Sequence, residues 1–115
     1  VKKSSSEIIF SIGKGAIDDI DKINALAKKY GAEVCASRSV VDSGKMPYSS
    51  QVGLTGKSVS PKVYVAFGIS GAVQHTCAIS GAGTVIAINN DKNARIFDYS
   101  DYGIVADIKE LFEEN

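Results

Sequence analysis

The chain is poor in the residues that mark several protein classes. Its 115 residues include one His, two Cys, two Pro, one Met and no Trp. Thirteen basic and thirteen acidic residues cancel, so we expect neither nucleic-acid binding nor attraction to an anionic membrane. No apolar run approaches the roughly 20 residues of a membrane span, which predicts no membrane insertion. Cys35 and Cys77 lack companions at metal-ligand spacing, which favours buried free thiols in a reducing compartment.

What is present is an ordinary globular composition. Apolar residues make up 44% of the chain and charged residues 23%, which is typical of a single domain with one core. We expect a polar lead-in over residues 1–7 and one domain over residues 8–115. The start at Val1, without an initiator Met, fits an excised or processed domain.

Short apolar runs alternate with helical patterns along the chain. Apolar residues three and four apart predict a helix with Ile17 and Tyr30 on one face, ended by Gly31. A short helix or turn is expected over 40–48, and a last helix turns its apolar residues at 108, 111 and 112 inward. Strands are predicted over 8–12, 33–36, 63–67 and 84–88, with a small fifth at 96–97. Continuous apolar strands alternating with helices predict an α/β fold whose parallel sheet is covered on both faces.

Polar residues follow four of these predicted strands, those at 8–12, 33–36, 63–67 and 84–88. In parallel α/β sheets, ligands bind beyond the carboxyl ends of the strands. The residues at those positions are Lys14, Ser37-Arg38, the stretch from Ser70 to His75, and Asn89. Their convergence predicts a binding site at that edge of the sheet.

The segment from Gly68 to Ala72, GISGA, has the small residues of a phosphate-binding turn between a strand and a helix. It matches neither GxGxxG nor a Walker A loop, so anion binding and plain tight packing both stay open. Ser70 is alternatively a helix N-cap. His75 is either a hydrogen-bond donor to a cofactor or a structural histidine. Arg38 is either a cation for an anionic ring or phosphate, or an exposed surface residue.

The second glycine-rich loop, VGLTGKS, ends like a P-loop. The spacing between its glycines is wrong and Pro61 follows instead of a helix, so a nucleotide-hydrolysing P-loop is not predicted. Thr55 stays a candidate donor between flanking glycines. Asn89 either closes a turn or recognises a ribose or adenine, and Asp107 with Glu110 has the form of a capping box. No catalytic triad spacing is present.

Four stretches together resemble the carboxyl-terminal FAD-binding domain of electron-transfer flavoprotein alpha subunits. They are ASRSVVDSGKMP, QVGLTGKSVSPKVYVAFGISGAVQH, VIAINNDKNARIF and DYGIVADI, in the family's order and spacing from about Ile12 onward. The resemblance implies a Rossmann-like three-layer sandwich with a mostly parallel central sheet. This is the DHS-like NAD/FAD-binding type, related to domains of sirtuin and pyruvate-oxidase type. It also implies FAD bound in an extended form.

The resemblance implies a role for each matching residue. Arg38 is expected against the isoalloxazine ring, the Thr55 hydroxyl near the redox-active nitrogen, and His75 at a ring carbonyl. Lys14 stands where the family usually has Arg. The planar guanidinium, which can donate two parallel hydrogen bonds, is thus replaced by a single ammonium charge. The cofactor-binding candidates are Lys14, Ser37, Arg38, Gln51, Val52, Gly53, Leu54, Thr55, Gly56, Ser70, Gly71, Ala72, Val73, Gln74, His75, Asn89, Asp107 and Ile108. The last three are expected toward the adenosine end.

The family resemblance also implies a function. It predicts an electron carrier, not a substrate-converting enzyme, that takes electrons from flavin dehydrogenases such as the acyl-CoA dehydrogenases of fatty-acid β-oxidation. The expected partner is an electron-transfer flavoprotein beta subunit, in the bacterial cytoplasm or the mitochondrial matrix. The alternatives are an electron-bifurcating version of the same protein, a nucleotide-binding regulatory module that shares only the fold, and a structural domain with a vestigial site.

Overall fold

The computed structural model describes residues 7–53 and 59–112. One sheet runs in the order β2-β1-β3-β4-β5, and every neighbouring pair is parallel. Its strands are β1 (Ile8–Ile12), β2 (Glu33–Ala36), β3 (Val63–Phe67), β4 (Thr84–Asn89) and β5 (Tyr102–Val105). The predicted α/β, Rossmann-like fold is confirmed.

Helices and single turns connect the strands. The α-helices are α1 (Ile20–Tyr30), α2 (Arg38–Asp42) and α3 (Val73–Thr76). The 3-10 helices are Lys14–Asp19, Tyr48–Ser50, Cys77–Ile79, Arg95–Tyr99 and Ile108–Phe112. As predicted, Gly31 ends α1: at a φ of 68° it turns left-handed and its N–H bonds the carbonyl oxygens of the last turn. The expected inward position of Tyr30 is wrong, because this last residue of α1 is 58% exposed.

Buried side chains lie on both faces of the sheet, as the continuous apolar runs predicted. On one face, Phe10 and Phe67 meet edge to face with ring centroids 5.4 Å apart, and Ile23 of α1 belongs to the same cluster. On the other face, Tyr64 of β3 lies in a second cluster that includes Ile96. Because β1, β3 and β4 are covered on both faces, most of their residues are apolar whichever face they point to.

The fifth strand is not where the sequence predicted it. Residues 96–97 lie in the 3-10 helix Arg95–Tyr99, and the backbone N–H of Ile96 donates to the carbonyl of Ser70 at 3.0 Å. The backbone of Ile96 is therefore hydrogen-bonded to the loop after β3 and not to a neighbouring strand. The true fifth strand, β5, is exposed at all four residues, so no alternation of apolar and polar side chains marks it.

The last described element is the 3-10 helix Ile108–Phe112, whose apolar side chains pack on the core face that carries α1. The backbone N–H of Asp107 donates to the Glu110 carboxylate at 3.1 Å, and the N–H of Lys109 donates to the Asp107 carboxylate at 3.2 Å. The predicted capping box is therefore present. None of the helices in the described ranges is long and apolar enough to cross a membrane.

Candidate functional site

A cleft of about 980 Å³ lies at the carboxyl ends of β1 to β4. The strand order reverses between β1 and β3, since β2 lies on one side of β1 and β3 on the other. Such a reversal leaves a crevice in which doubly wound folds bind ligands. The sequence candidates that line it are Lys14, Ser37, Arg38, Gln51, Val52, Gly53, Ser70, Ala72, His75 and Asn89.

The other candidates divide into two groups. Leu54, Thr55 and Gly56 lie outside the described residues, as do the side chains of Val73 and Gln74. Gly71, Asp107 and Ile108 are described but do not line the cleft. Ile108 is 3% exposed and belongs to the core. Contact of any of these residues with FAD stays a prediction.

The floor of the cleft is a close backbone contact between the loops after β1 and β3. Gly13 donates its N–H to the carbonyl of Phe67 at 2.8 Å, and Gly15 donates to that of Gly68 at 3.1 Å. A Cβ on Gly13 would lie 2.4 Å from the Gly68 carbonyl oxygen, and Gly68 itself has a φ of 66°. Only glycine fits such an approach. Tight packing therefore explains Gly68, and it brings Lys14 beside the loop from Ser70 onward.

Gly71 holds the loop after β3 against the loop after β4. Its φ is 92°, and a Cβ there would lie 2.3 Å from the backbone nitrogen of Ile96. Ser70 is not the helix N-cap, because the Ala72 carbonyl accepts the first hydrogen bonds of α3 from His75 and Thr76. The exposed Ser70 instead faces the cleft.

Among the described residues, three cations line the cleft, Lys14, Arg38 and Arg95, against one carboxylate, Asp91. Arg38 also pairs with Asp42 one turn along α2, with Nε and Oδ2 3.4 Å apart and the two side chains 70% and 65% exposed. Such an exposed pair is weak, so Arg38 is free to exchange it for a ligand anion. The excess of positive charge favours a ligand that carries phosphate.

The sequence reasoning missed Arg95 and Asp91. Both follow β4, where the rule that placed Lys14 and Arg38 would also have placed them. The strand expected at 96–97 led away from these two residues, because it placed the segment in the sheet and not in a loop beside the cleft. Asn89 serves the same loops: its side chain donates to the Ile69 carbonyl at 3.0 Å and accepts the Asp91 N–H at 2.8 Å. It therefore closes a turn.

His75 is one of three buried polar residues among the described residues of the cleft, with Gln51 and Asn89. The side chain is 6% exposed, and its Nε2 lies 2.6 Å from the hydroxyl of Tyr64 in β3. The other nitrogen, Nδ1, is buried and has no hydrogen-bond partner. Burial lowers the pKa of His75 to about 4, and the nearby Val52 backbone offsets this only in part. His75 is therefore a neutral imidazole at pH 7.

Tyr64 is fully enclosed beneath His75. Burial raises the pKa of its hydroxyl far above the ordinary value, so the phenol keeps its proton. The Ser11 side chain of β1 lowers that pKa slightly, although Ser11 Oγ makes no well-formed hydrogen bond. A neutral polar pair thus runs from the core face of the sheet to the cleft.

The described residues offer no metal site, since none of their His, Cys, Asp and Glu side chains form a group of three that could hold an ion. Cys35 is a buried free thiol, as predicted, and its Sγ lies 3.6 Å from the Glu33 carboxylate. The side chain of Cys77 lies outside the described part.

Comparison with known proteins identifies the family. The model of the electron transfer flavoprotein FAD-binding domain matches residues 3–80. The electron transfer flavoprotein subunit alpha of Mycobacterium tuberculosis is 48% identical over 96 residues, which are 84% of this chain and 30% of that protein. The subunit alpha of Pseudomonas aeruginosa is 44% identical over 113 residues, 96% of this chain and 37% of that protein.

A relative with a different name matches equally well. The acryloyl-CoA reductase electron transfer subunit beta of Anaerotignum propionicum is 48% identical over 108 residues, 90% of this chain and 29% of that protein. The chain thus spans about a third of the length of the curated relatives it matches. The matches do not favour a regulatory module that shares only the fold. These matches agree with the parallel sheet and the cleft. The chain belongs to the electron transfer flavoprotein family and corresponds to the FAD-binding domain of its alpha subunit.

Proposed function

We propose that residues 8–115 bind FAD in the cleft and, as part of an electron-transfer flavoprotein alpha subunit, carry electrons between a flavin dehydrogenase and an acceptor. The observation that carries this proposal is the cleft itself. It lies at the reversal of the strand order, it has an excess of cations, and it contains a buried imidazole nitrogen without a partner. A cofactor with phosphates and a polar ring would supply negative charge to the cations and a hydrogen-bond partner to the imidazole nitrogen.

The residues present fit FAD in two ways. Lys14 and Arg95 follow β1 and β4 and can neutralise a pyrophosphate between them, while Arg38 brings a further cation to the cleft. The neutral His75 can donate one hydrogen bond to a ring carbonyl or nitrogen without bringing a charge into the site. Bound FAD would supply the redox chemistry, which the protein tunes by such contacts.

A fixed cation and a donated hydrogen bond act on the same quantity. Both stabilise negative charge on a ring that gains an electron, so both raise its reduction potential. Within this proposal Arg38 and His75 tune the ring, Lys14 and Arg95 hold the phosphates, and Ser70 and Ala72 line the path between them. In this proposal the side chains of the described site bind FAD and tune its potential, and none of them reacts with a substrate. Such roles are those of an electron carrier.

The wider assignments rest on the same family membership. We propose a heterodimer with an electron-transfer flavoprotein beta subunit, and electron donors among the flavin dehydrogenases, including acyl-CoA dehydrogenases. Bacterial and mitochondrial relatives support a location in the bacterial cytoplasm or the mitochondrial matrix.

Titration with FAD tests the proposal directly. The protein, alone and with an electron-transfer flavoprotein beta subunit, is titrated with FAD and separately with NAD, followed by flavin fluorescence and calorimetry. We expect FAD to bind more tightly than NAD. Arg95→Gln should weaken FAD binding about three- to tenfold, because it removes a charged contact to phosphate at a partly exposed site.

The matched control is Lys28→Gln, which removes an exposed cation of α1 that does not line the cleft. It should leave FAD affinity unchanged. Preferential binding of NAD would favour the regulatory module, and no binding of either nucleotide with the beta subunit present would refute the carrier function.

A further inference from the structure

The two ring nitrogens of the chain's single histidine have different surroundings. Nε2 lies 2.6 Å from the buried hydroxyl of Tyr64, on the sheet side of the ring. Nδ1 has no hydrogen-bond partner, and the ring and its neighbour Val52 both line the cleft. Tyr64 itself does not line the cleft and is 0% exposed, so any effect on a ligand must pass through His75.

The direction of the Tyr64–His75 hydrogen bond follows from the chemistry of the two groups. A neutral imidazole has one N–H and one bare nitrogen, and the bare nitrogen is a stronger base than a phenol oxygen. The phenol proton also needs an acceptor in this dry core, and Nε2 is within reach. The 2.6 Å contact therefore runs from the Tyr64 hydroxyl, as donor, to Nε2 of His75, as acceptor.

We infer that Tyr64 is a positioning residue: by donating to Nε2 it holds His75 in the tautomer with the proton on Nδ1, the nitrogen left to donate to a ligand in the cleft. This inference rests on the proposed FAD site. Without the tyrosine hydroxyl, the ring loses the donor that keeps its Nε2 bare. It could then present a bare nitrogen to the flavin carbonyl, which repels where the other tautomer attracts.

The tautomer can be measured before any flavin is added. NMR of the two ring nitrogens is unambiguous here, because the chain has one histidine. In the ligand-free protein at neutral pH, we expect Nδ1 protonated and Nε2 bare. Tyr64→Phe should lose this preference, whereas Tyr102→Phe, at a tyrosine that is 66% exposed, should keep it. A protonated Nε2 in the unmodified protein overturns the inference, even if Tyr64→Phe fails to fold.

The second measurement uses FAD with the beta subunit present. Tyr64→Phe should weaken FAD binding about five- to tenfold, the loss of one hydrogen bond of ordinary strength, and lower the flavin reduction potential. An altered tautomer with unchanged affinity and potential would overturn the positioning role. If the unmodified protein has the expected tautomer but binds no FAD, the proposed function fails, and the positioning role falls with it for that separate reason.

Discussion

Mild acid should destabilise this protein through His75. Its pKa is lowered to about 4 by burial, whereas an unfolded histidine titrates near its ordinary value of 6.5. Between these two values the unfolded chain binds a proton that the folded chain does not. The stabilising difference is therefore complete above pH 6.5 and is lost as the pH falls toward 4.

The size of this loss follows from the difference between the two pKa values. Lowering the pH from about 7.5 to about 5 should reduce the free energy of unfolding by about 2 kcal/mol through His75 alone. The loss reaches about 3 kcal/mol when both states are protonated. That is a large share of the about 5–15 kcal/mol that stabilises a typical domain. The phenol of Tyr64 contributes nothing to the slope, since burial raises its pKa.

Denaturant unfolding at a series of pH values, followed by circular dichroism, measures the effect. His75→Gln is the comparison, because carboxylates titrate in both proteins and cancel in the difference. The advantage of the unmodified protein over this variant should shrink by about 2 kcal/mol between about pH 7.5 and about pH 5. A difference that stays constant with pH would refute the buried, neutral histidine. A stability that rises in acid would show a histidine paired with an anion.

Two further predictions concern the loops that shape the cleft, both measured by denaturant unfolding. Gly71→Ala should cost about 3 kcal/mol or more, because its Cβ would collide with the Ile96 backbone at a φ of 92°. Gly31→Ala, at a φ of 68° with nothing within 4 Å, should cost only about 1 kcal/mol, and equal losses would argue against the steric explanation. Asn89→Ala should cost about 1–3 kcal/mol, because the Ile69 carbonyl and the Asp91 N–H lose their partner. An unchanged stability would mean that water replaces this side chain.

Four of the five strands follow from the sequence because both faces of the sheet are buried. A strand covered twice is a continuous apolar run, and the runs at 8–12, 33–36 and 63–67 match the observed strands residue for residue. The edge strand Tyr102–Val105 has no such pattern, since its residues are exposed. Two apolar residues at 96–97 were too few to separate a strand from a turn, and a tertiary contact with Ser70 decided between them.

The location of the cleft was predictable for a topological reason. In a parallel sheet, all strand ends of one kind lie along one edge, so polar residues after separate strands converge without any knowledge of strand order. Lys14, Arg38 and Asn89 meet in this way. What each side chain contacts was not predictable, because the turns set its direction. Asn89 has both ends of its amide occupied by neighbouring loops, a fact that depends on how closely Gly71 lets those loops approach.

Tyr64 shows where pattern reading stops. Within Val63–Phe67 a tyrosine counts as one more apolar residue, and its ring is indeed buried in the core. Yet a buried tyrosine hydroxyl needs a partner, and a core face of aliphatic side chains offers few. The one histidine lies in α3, the next helix along the chain, and folds back over the same face of the sheet. A tyrosine inside a buried strand, followed by a lone histidine in the next helix, is therefore a pair that the sequence contains. The pair is recognised only when a hydrogen-bond partner is sought for each buried polar atom, in addition to reading the hydrophobic pattern.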